Sequence, residues 1–509
     1  MKATFTLSMS WLHTWGGLVV GWVLFAVVFT GTLAVFHHEI EEWMRPELHA
    51  EEMSAARGLR VAETYLKHNA PKARSWSIAL PEDGLVTVRS GGGRRAKSAV
   101  LNADGEVVTS RDTAGGEFLA GLHANFRSRG FGTWVVIACG LFMLGAIVSG
   151  IVVHKRIFRD FFTFRPGKGQ RSWLDGHNLV GVATLPFQIV IAASGVLINP
   201  VSIMPAAVET AFKGDDGAYF DSIYWGPYRR EAAHRPAAAL PLPELVARGE
   251  ALLETPVESL QISHPGDANS VVTLHGDLES RLTKMDRWVS LDAVTGRLLD
   301  GQLDYSGATT TSGVIVGLHL GTFGGAGVRW LYLLLGMASS AMVATGLVLF
   351  IAKREPRHAG KDQAWFVKAA ARINVFACAG LIVACAALFW TNRLLPLDLQ
   401  DRAALEGRIF FWVWVVCMLH AVVRPPRRAW TEQLAVTAAL CLALPVLNVA
   451  TTGAWFATYA MHGDVVRAVV ELTVMIAGGL LGWLAWRVGR AGKQAPASKA
   501  RPRVAVGEA

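Results

Sequence analysis

Cysteine is scarce in this sequence. Only five of the 509 residues are cysteines, and all lie in apolar stretches, at positions 139, 378, 385, 417 and 441. A thiol in such a stretch packs as a small hydrophobic group. No C-x-x-C-H motif is present, which excludes covalent attachment of a c-type haem, and no cysteine cluster has the spacing of a metal site. Any haem must therefore be held by side-chain ligation alone.

Charged residues are also few. They make up 17% of the chain, whereas hydrophobic residues make up 52%. Apolar runs of the ~20 residues that span a bilayer as a helix recur along the chain. This composition indicates an integral membrane protein. We predict eight spans, at about residues 15–36, 133–153, 178–199, 328–352, 372–390, 408–423, 433–453 and 465–486.

The net charge of +9 has its source in basic residues that cluster in short loops and in the C-terminal tail. The basic loops are alternate ones, which indicates membrane topology rather than nucleic-acid binding. By the positive-inside rule, both termini are predicted to be cytoplasmic. The N-terminal segment has a single early lysine and an apolar span too long for a cleaved signal peptide, so we expect it to remain as the first span.

Two pairs of segments repeat without gaps. His123 and His319 each end a Gly-Leu-His motif, and each is followed by tryptophan at +11 and by glycine at +17 and +27. His13 and His177 are each followed by glycine at +4 and +18. These spacings indicate an internal duplication of a two-helix unit. A parallel repeat of this kind implies a pseudo-two-fold axis along the membrane normal.

A polar segment joins the two helices of each copy, and both polar segments predict a helix followed by strands. The first is predicted to contain a helix at Ala55–Asn69 and strands at Ser75–Leu80, Leu85–Arg89 and Ala99–Thr109, the last folded at Asp104-Gly105. The second is predicted to contain a helix near Leu242–Leu253, strands at Val257–Ser263, Ser270–Leu274 and Arg287–Leu291, and a turn at Thr295-Gly296. We expect two α+β domains on the periplasmic side.

The predicted fold class is an all-α polytopic membrane protein with two α+β insertions. The boundaries are span 1 at 1–37, a periplasmic domain at 38–122, span 2 at 123–153, a basic loop at 154–176, span 3 at 177–199, a second periplasmic domain at 200–316, span 4 at 317–352, four further spans within 372–486 and a disordered tail at 487–509. The last four spans do not match the repeat. Glu471 lies in the final span, where an ionisable residue is either functional or close enough to the interface to snorkel.

The histidines of the repeat are candidate metal ligands. Opposite helix directions place His13 and His177 at the cytoplasmic face, and His123 and His319 at the outer face. Two-fold symmetry would bring each pair together, and two neutral imidazoles at matching depth are what a bis-histidine b-type haem requires. The sequence therefore predicts two non-covalent b haems. The glycines of the repeat would permit close approach of helices or of a flat macrocycle.

Three other histidines are rival ligands. His154 lies at the cytoplasmic face, but its counterpart in the second copy is Phe350, which cannot bind iron. His37 and His38 lie at the outer face and also lack histidine counterparts. Zinc is a weaker prediction than haem, because no face supplies a clear set of three or four ligands.

The motifs around these histidines resemble a known family. Ser10-Trp11-Leu12-His13, the run His154–Pro166, Ser172–Asn178 and Gly317-Leu318-His319 are similar to the PepSY-associated transmembrane family, over about residues 1–355. The resemblance implies a four-helix unit with two b haems, PepSY-like periplasmic domains, a place in the bacterial inner membrane and ferrisiderophore reductase activity. Gln188 departs from the pattern, since many relatives are expected to carry histidine after Pro186-Phe187.

The leading functional hypothesis is a di-haem transmembrane electron conduit that reduces a ferric siderophore or another ferric chelate at the periplasmic side. Reduction releases iron because hard oxygen chelators hold ferrous iron less tightly. One alternative is a PepSY-type sensor or protease regulator without redox activity. Another is a siderophore transporter, which only the four extra helices and Glu471 support. No G-x-G-x-x-G follows a strand on the cytoplasmic side, so the electron donor would be a quinol, a reduced flavin or a separate reductase.

Overall fold

A computed structural model of the chain describes residues 2–48, 53–82, 84–91, 96–154, 165, 167, 169–223, 228–278, 280–358 and 364–490. Most of the run His154–Pro166 and of the predicted tail lies outside the described residues. Contacts divide the chain into two units. Unit 1 comprises residues 1–166 and 174–343, and unit 2 comprises residues 167–173 and 344–509.

The described residues contain twenty α-helices and seven strands. The helices before the last four predicted spans are α1 (Lys2–Trp11), α2 (Gly17–Ala34), α3 (His37–Met44), α4 (Ala55–Asn69), α5 (Gly115–Asn125), α6 (Phe131–Val153), α7 (Gln170–Ala183), α8 (Leu185–Leu197), α9 (Pro200–Ile203), α10 (Pro205–Phe212), α11 (Asp216–Ile223), α12 (Leu242–Leu253), α13 (Gly307–Leu320) and α14 (Gly325–His358). The remaining helices are α15 (Ala364–Val375), α16 (Leu381–Leu394), α17 (Arg402–Val423), α18 (Pro426–Thr452), α19 (Phe456–Met461) and α20 (Val465–Arg490). The strands are β1 (Ser75–Glu82), β2 (Leu85–Ser90), β3 (Lys97–Leu101), β4 (Val257–Ser263), β5 (Val271–Gly276), β6 (Trp288–Asp292) and β7 (Leu298–Gln302).

The prediction of a multi-pass membrane protein is confirmed. Seven helices of the described chain are long and apolar enough to cross a membrane: Thr4–Ala34, Phe131–Val153, Gly325–Pro356, Trp365–Leu394, Arg402–Val423, Pro426–Thr452 and Val465–Arg490. The first of these continues from α1 to α2 through one π-helical turn, Leu12–Gly16, which carries His13. Such turns widen the backbone locally and are frequent at functional sites.

The third predicted span is bent. Helices α7 and α8 meet at an angle of 66° and form an eighth span only if the pair crosses as one. Pro186 follows the bend and has no N–H to donate to the preceding turn, which explains the break. The buried Gln188 donates through Nε2 to Thr184 Oγ1 at 2.5 Å, so it satisfies a polar group at the bend.

The seven strands form a single antiparallel sheet in the order β3-β2-β1-β4-β5-β6-β7. Strands β1 to β3 come from the first polar segment and β4 to β7 from the second. The two segments join where β1 pairs with β4, with Ile78 opposite Leu260. The sequence predicts two separate α+β domains, whereas the structure has one sheet with contributions from both segments.

A single hydrophobic core packs against this sheet. Helix α4 of the first segment supplies Leu59 and Leu66, and helix α12 of the second supplies Leu245 and Leu253. These side chains belong to the same buried cluster as inward-facing residues of both halves of the sheet, Ile78, Val88, Leu260, Leu274 and Leu291. The α+β character predicted for each segment is therefore present, but the segments share their core.

Two glycine-containing turns lie at matching places in the sheet, one after Leu101 in β3 and one after Leu291 in β6. Leu101 bridges to Val107 across a turn in which Gly105 has φ +83°. Leu291 pairs with Leu298 across a turn in which Gly296 has φ +70°. Glycine adopts this left-handed backbone without steric cost, which is why both turns contain it.

His123 and His319 lie on short helices, not on the spans that follow. Helix α5 ends at Asn125, and Phe126 and Arg127 adopt left-handed backbone angles before α6 begins. Helix α13 ends at Leu320, and Gly321 has φ +70°. The predicted segments that contain these spans begin at residues 123 and 317, whereas their apolar runs are predicted to begin at about residues 133 and 328. The structure starts the long helices at Phe131 and Gly325, because these left-handed residues interrupt the helix.

Candidate functional site

His13 and His177 form the first histidine pair. Their ring centroids are 6.3 Å apart and their planes are inclined by 75°. Nδ1 of His13 lies 3.0 Å from the carbonyl oxygen of Ala146, and Nδ1 of His177 lies 3.0 Å from that of Met342. A carbonyl oxygen can only accept, so Nδ1 is the protonated nitrogen of each ring. Nε2 of each ring therefore keeps a lone pair that is available to a metal.

His123 and His319 form the second histidine pair. Their ring centroids are 5.9 Å apart and the planes are inclined by only 18°. Nδ1 of His123 donates to the Val27 carbonyl at 2.8 Å, and Nδ1 of His319 donates to the Ile191 carbonyl at 3.2 Å. The second pair therefore has the same tautomer as the first, with Nε2 available. A metal-bound histidine commonly donates its other N–H to such an acceptor, which fixes the orientation of the ring.

The four carbonyl acceptors lie at equivalent positions in the two copies of the repeat. Val27 and Ile191 each follow the first histidine of their copy, His13 or His177, by fourteen residues. Ala146 and Met342 each follow the second histidine, His123 or His319, by twenty-three residues. The orientation of every ring is thus fixed by the same kind of contact at the same spacing.

The spacing within each pair fits one metal ion. A metal–nitrogen bond is about 2 Å long, and the ring centre lies about 1 Å behind the ligating nitrogen, so two imidazoles on opposite sides of one metal have centroids about 6 Å apart. The observed values are 6.3 and 5.9 Å. Among the described residues, no group of three or more His, Cys, Asp or Glu side chains comes together. Haem needs only two axial side chains, because the macrocycle supplies its remaining ligands.

Glycines stand where the rings approach the helices. A Cβ atom at Gly31 would lie 2.6 Å from Nδ1 and Cε1 of His123, and one at Gly195 would lie 2.8 Å from Cε1 of His319. Both glycines occupy the +18 position of their copy. A side chain at either position would have to displace the neighbouring imidazole.

A second set of equivalent glycines packs helix against helix. A Cβ at Gly140 of α6 would lie 2.8 Å from Val196 of α8, and one at Gly336 of α14 would lie 2.4 Å from Thr32 of α2. Val196 and Thr32 both follow their first histidine by nineteen residues. Small residues allow such close backbone approach in membrane bundles.

The rival histidines differ in what surrounds them. His37 donates through Nδ1 to the Ala34 carbonyl at 2.8 Å, and its Nε2 lies 3.5 Å from a carboxylate oxygen of Glu117. Both nitrogens of His37 thus have protein partners, and its ring stacks on His38 at a centroid distance of 3.9 Å. His154 caps the end of α6 and lies within electrostatic range of His13 and His177. Of the three rivals, only His154 is shown close to a histidine pair.

Two serines add a hydrogen bond to one ring of each pair. Ser149 Oγ is 3.2 Å from Nδ1 of His13, and Ser194 Oγ is 3.1 Å from Nδ1 of His319. Each hydroxyl donates to a backbone carbonyl of its own helix, so it accepts from the histidine. These two serines are not among the residues predicted from the sequence. A signal was present, since the other copy has a hydroxyl at both equivalent positions, Thr345 and Thr30.

Comparisons with known proteins agree with the extent of this arrangement. The family described as PepSY-associated TM region matches residues 10–353, which include all four paired histidines. A protein of Pseudomonas aeruginosa, described as uncharacterized, is 26% identical over 407 residues. That alignment covers 76% of this chain and 98% of the Pseudomonas protein.

Proposed function

Because the chain belongs to the PepSY-associated TM region family, as its sequence motifs predict, we propose that its two histidine pairs each hold a b-type haem. The protein would be a transmembrane electron conduit that reduces a ferric siderophore or a similar ferric chelate at the periplasmic side. The observation that carries the proposal is the pair of ring separations, 6.3 and 5.9 Å, with Nδ1 of all four rings hydrogen-bonded to a backbone carbonyl.

The protein's own residues would hold and orient the two groups. Haem, when bound, supplies reversible one-electron chemistry at its iron. His13 and His177 would ligate one iron, and His123 and His319 the other. The carbonyl acceptors fix the Nδ1–H tautomer and the direction of each ring, so that Nε2 would be available to the iron. Ser149 and Ser194 accept a second hydrogen bond from one ring in each pair, which raises the basicity of that ligand.

The two pairs lie at different depths along the first span, Thr4–Ala34. The carbonyl that orients His123 belongs to Val27, fourteen residues after His13. At a rise of 1.5 Å per residue, this corresponds to about 21 Å along the helix axis. Two redox groups at such a separation would move electrons across most of a bilayer while the chelate stays on one side.

The duplication supports this arrangement, because a two-fold relation generates two ligand pairs from one two-helix unit. The electron donor would be a quinol, a reduced flavin or a separate reductase. Two other functions compete: a sensor or protease regulator that uses the sheet domain without redox chemistry, and a siderophore transporter that uses the last four helices. Neither needs four histidines with available Nε2 atoms, which is why we favour the conduit.

An absorption spectrum and a haem count of the purified protein test the proposal directly. We expect a Soret band, low-spin b-type spectra and two haems per chain that are extractable into acid–acetone. Protein that has been reduced should be reoxidised by a ferric siderophore with formation of ferrous iron. Protein without a Soret band would favour the sensor. Haem that no ferric chelate oxidises would remove the proposed substrate but leave the conduit.

Alanine at Gly31 is expected to expel the second haem. The new methyl group would lie 2.6 Å from the His123 ring, so the ring must leave its hydrogen bond to Val27. Gly17→Ala is the matched control on the same helix, because a Cβ there meets nothing within 4 Å. The measurement is haem per chain, which should fall from two to about one in Gly31→Ala and stay at two in Gly17→Ala. Equal haem content in both variants would contradict the proposed ligand role of His123.

The rival histidines are expected to be dispensable for haem. His154→Ala, His37→Ala and His38→Ala should each retain two low-spin haems. His154→Ala is the most informative of the three variants, because His154 lies beside the first pair. Haem counts for His154→Ala and His13→Ala, measured side by side, decide between them. Loss of a haem in His154→Ala with His13→Ala unaffected would assign the ligand to His154.

The proposed orientation places the sheet domain in the periplasm of a bacterium, with both termini of this inner-membrane protein in the cytoplasm. Reporter fusions at Gly91 and Asp267 should be active in the periplasm, and fusions at Gly167 and Gly360 in the cytoplasm. Gly360 lies outside the described residues. The reverse pattern of reporter activity would place chelate reduction on the cytoplasmic side.

A further inference from the structure

Unit 2 contains a buried group of charged and polar side chains, here called the polar cluster. It lies at one end of the last four spans, where α16 ends, α17 begins, α18 ends and α20 begins. Its members are Asn392, Arg393, Arg402, Glu406, Asn448, Tyr459, Asp464, Arg467 and Glu471, all of them buried except Asp464, which is partly buried. Ionisable groups in membrane helices are costly and are usually paired or functional.

Most of the cluster is joined by hydrogen bonds. Arg402 and Glu406 form an ion pair on α17, and Asn392 donates to Glu406 Oε1 at 3.2 Å. Arg393 donates through Nη1 to Asn392 and through Nε to Asn448 Oδ1, the latter at 2.7 Å. The network thus connects α16, α17 and α18. These groups have the partners that a buried polar side chain requires.

Glu471 differs from the rest of the cluster. It is 0% exposed, and neither of its carboxylate oxygens accepts a hydrogen bond from the described residues. Arg393 acts on it electrostatically, and the Asn448 amide and the backbone N–H of Phe456 approach it without reaching hydrogen-bond geometry. A buried carboxylate without hydrogen bonds is strongly disfavoured, and protonation removes that cost. The positive charge of Arg393 opposes protonation.

Four of the other five charges of the cluster form two ion pairs, and Arg393 is the fifth. Arg467 and Asp464 form an ion pair at 2.6 Å in the first turn of α20, as Arg402 and Glu406 do on α17. The remaining groups nearby are the neutral Asn448 and the Tyr459 hydroxyl that it contacts. With Glu471 ionised, the three arginines and three acids of the cluster balance, and a proton on Glu471 leaves one net positive charge. The two ion pairs do not involve Glu471, so a proton can bind there without breaking either of them.

We propose that Glu471 is a proton-binding site within the last four spans. A proton adds to one carboxylate oxygen and leaves from it again, with formation and cleavage of an O–H bond and no transfer of electrons. A proton fits the site because the side chain is fully enclosed, whereas an organic ligand would need space beside it. The site does not depend on haem, and its test does not use haem as a readout.

Infrared difference spectroscopy of the whole protein in lipid nanodiscs tests the site. Between about pH 6 and pH 9, acids with ordinary pKa values near 4 remain ionised, so they give no signal from a protonated carboxyl group. We expect one such signal, sensitive to deuterium exchange, to grow as the pH falls. It should disappear in Glu471→Gln and move to a different frequency in Glu471→Asp. Glu432→Gln is the control, since Glu432 is half-exposed and paired with Arg424 and His420.

Three results would overturn the inference. The first is a wild-type protein with no carboxyl signal in this pH range, and the second is an unchanged signal in Glu471→Gln. The third is a signal that depends on Na⁺ concentration at constant pH, which would identify a metal cation as the ligand. If Glu471→Gln does not fold, the wild-type spectrum and the frequency shift in Glu471→Asp still decide the matter.

Discussion

The variant His123→Ala is expected to retain one haem per chain instead of two. Alanine would remove one of the two histidines proposed to hold the second haem, and His319 alone would not complete the proposed bis-histidine site. The remaining haem should keep the spectrum of the first pair, because about 21 Å along the first span separates the two pairs. His462→Ala is a suitable control, since this exposed histidine bonds to Thr458 in the unrepeated part of the chain.

Double variants decide how the four histidines are paired. His13→Ala combined with His177→Ala should still leave one haem, because both changes affect the same site. His13→Ala combined with His123→Ala should leave none. The haem count per chain and the low-spin signal in electron paramagnetic resonance measure both outcomes. One haem in each double variant would contradict the pairing, and no haem in the first would show that the two sites are coupled.

The variant Leu260→Asp is expected to unfold both polar segments together. Leu260 is 1% exposed, lies opposite Ile78 at the β1–β4 junction and belongs to the shared core. An unpaired carboxylate at a core position costs roughly 4 kcal/mol or more, which is a large part of the stability of a domain of this size. Hydrogen exchange should therefore become fast in β1 to β3 as well as in β4 to β7.

Gln261→Asp provides the comparison for this variant. Gln261 is the next residue along β4, faces the other side of the sheet and is only partly buried. Its replacement should leave amide protection in both segments close to that of the unaltered protein. If Leu260→Asp removed protection only from the second segment, the two segments would be independent domains joined by a weak strand contact.

Local sequence patterns predicted most of the separate elements. Six of the seven strands begin within two residues of their predicted starts because alternating hydrophobic residues and the Asp104-Gly105 and Thr295-Gly296 turns are local signals, whereas β7 was not predicted as a strand. The paired histidines were found through the repeat, and the structure places the rings of each pair about 6 Å apart. The strand positions were predictable from short stretches of sequence, and the histidine pairs were predictable from the exact spacing of the repeat.

The features that local patterns did not predict depend on contacts between distant segments. The β1–β4 junction joins residues about 180 positions apart, and nothing in either strand specifies its partner. The bend at Thr184 was not predicted, because a proline such as Pro186 can either kink a membrane helix slightly or break it, and the local sequence does not distinguish the two. The π-helical turn at His13 has no composition signal, since Leu12–Gly16 also fits an ordinary helix.

The β1–β4 junction also bears on how such a fold can arise. A chain with only one copy of the two-helix unit would present its first sheet strand as an open edge, which is a template for pairing with another chain. Two such chains could pair through identical edges about a two-fold axis and form an isologous homodimer. Each histidine pair would then be completed across the subunit interface. In the present protein one chain supplies both halves, so the two histidine pairs and the continuous sheet form at any protein concentration.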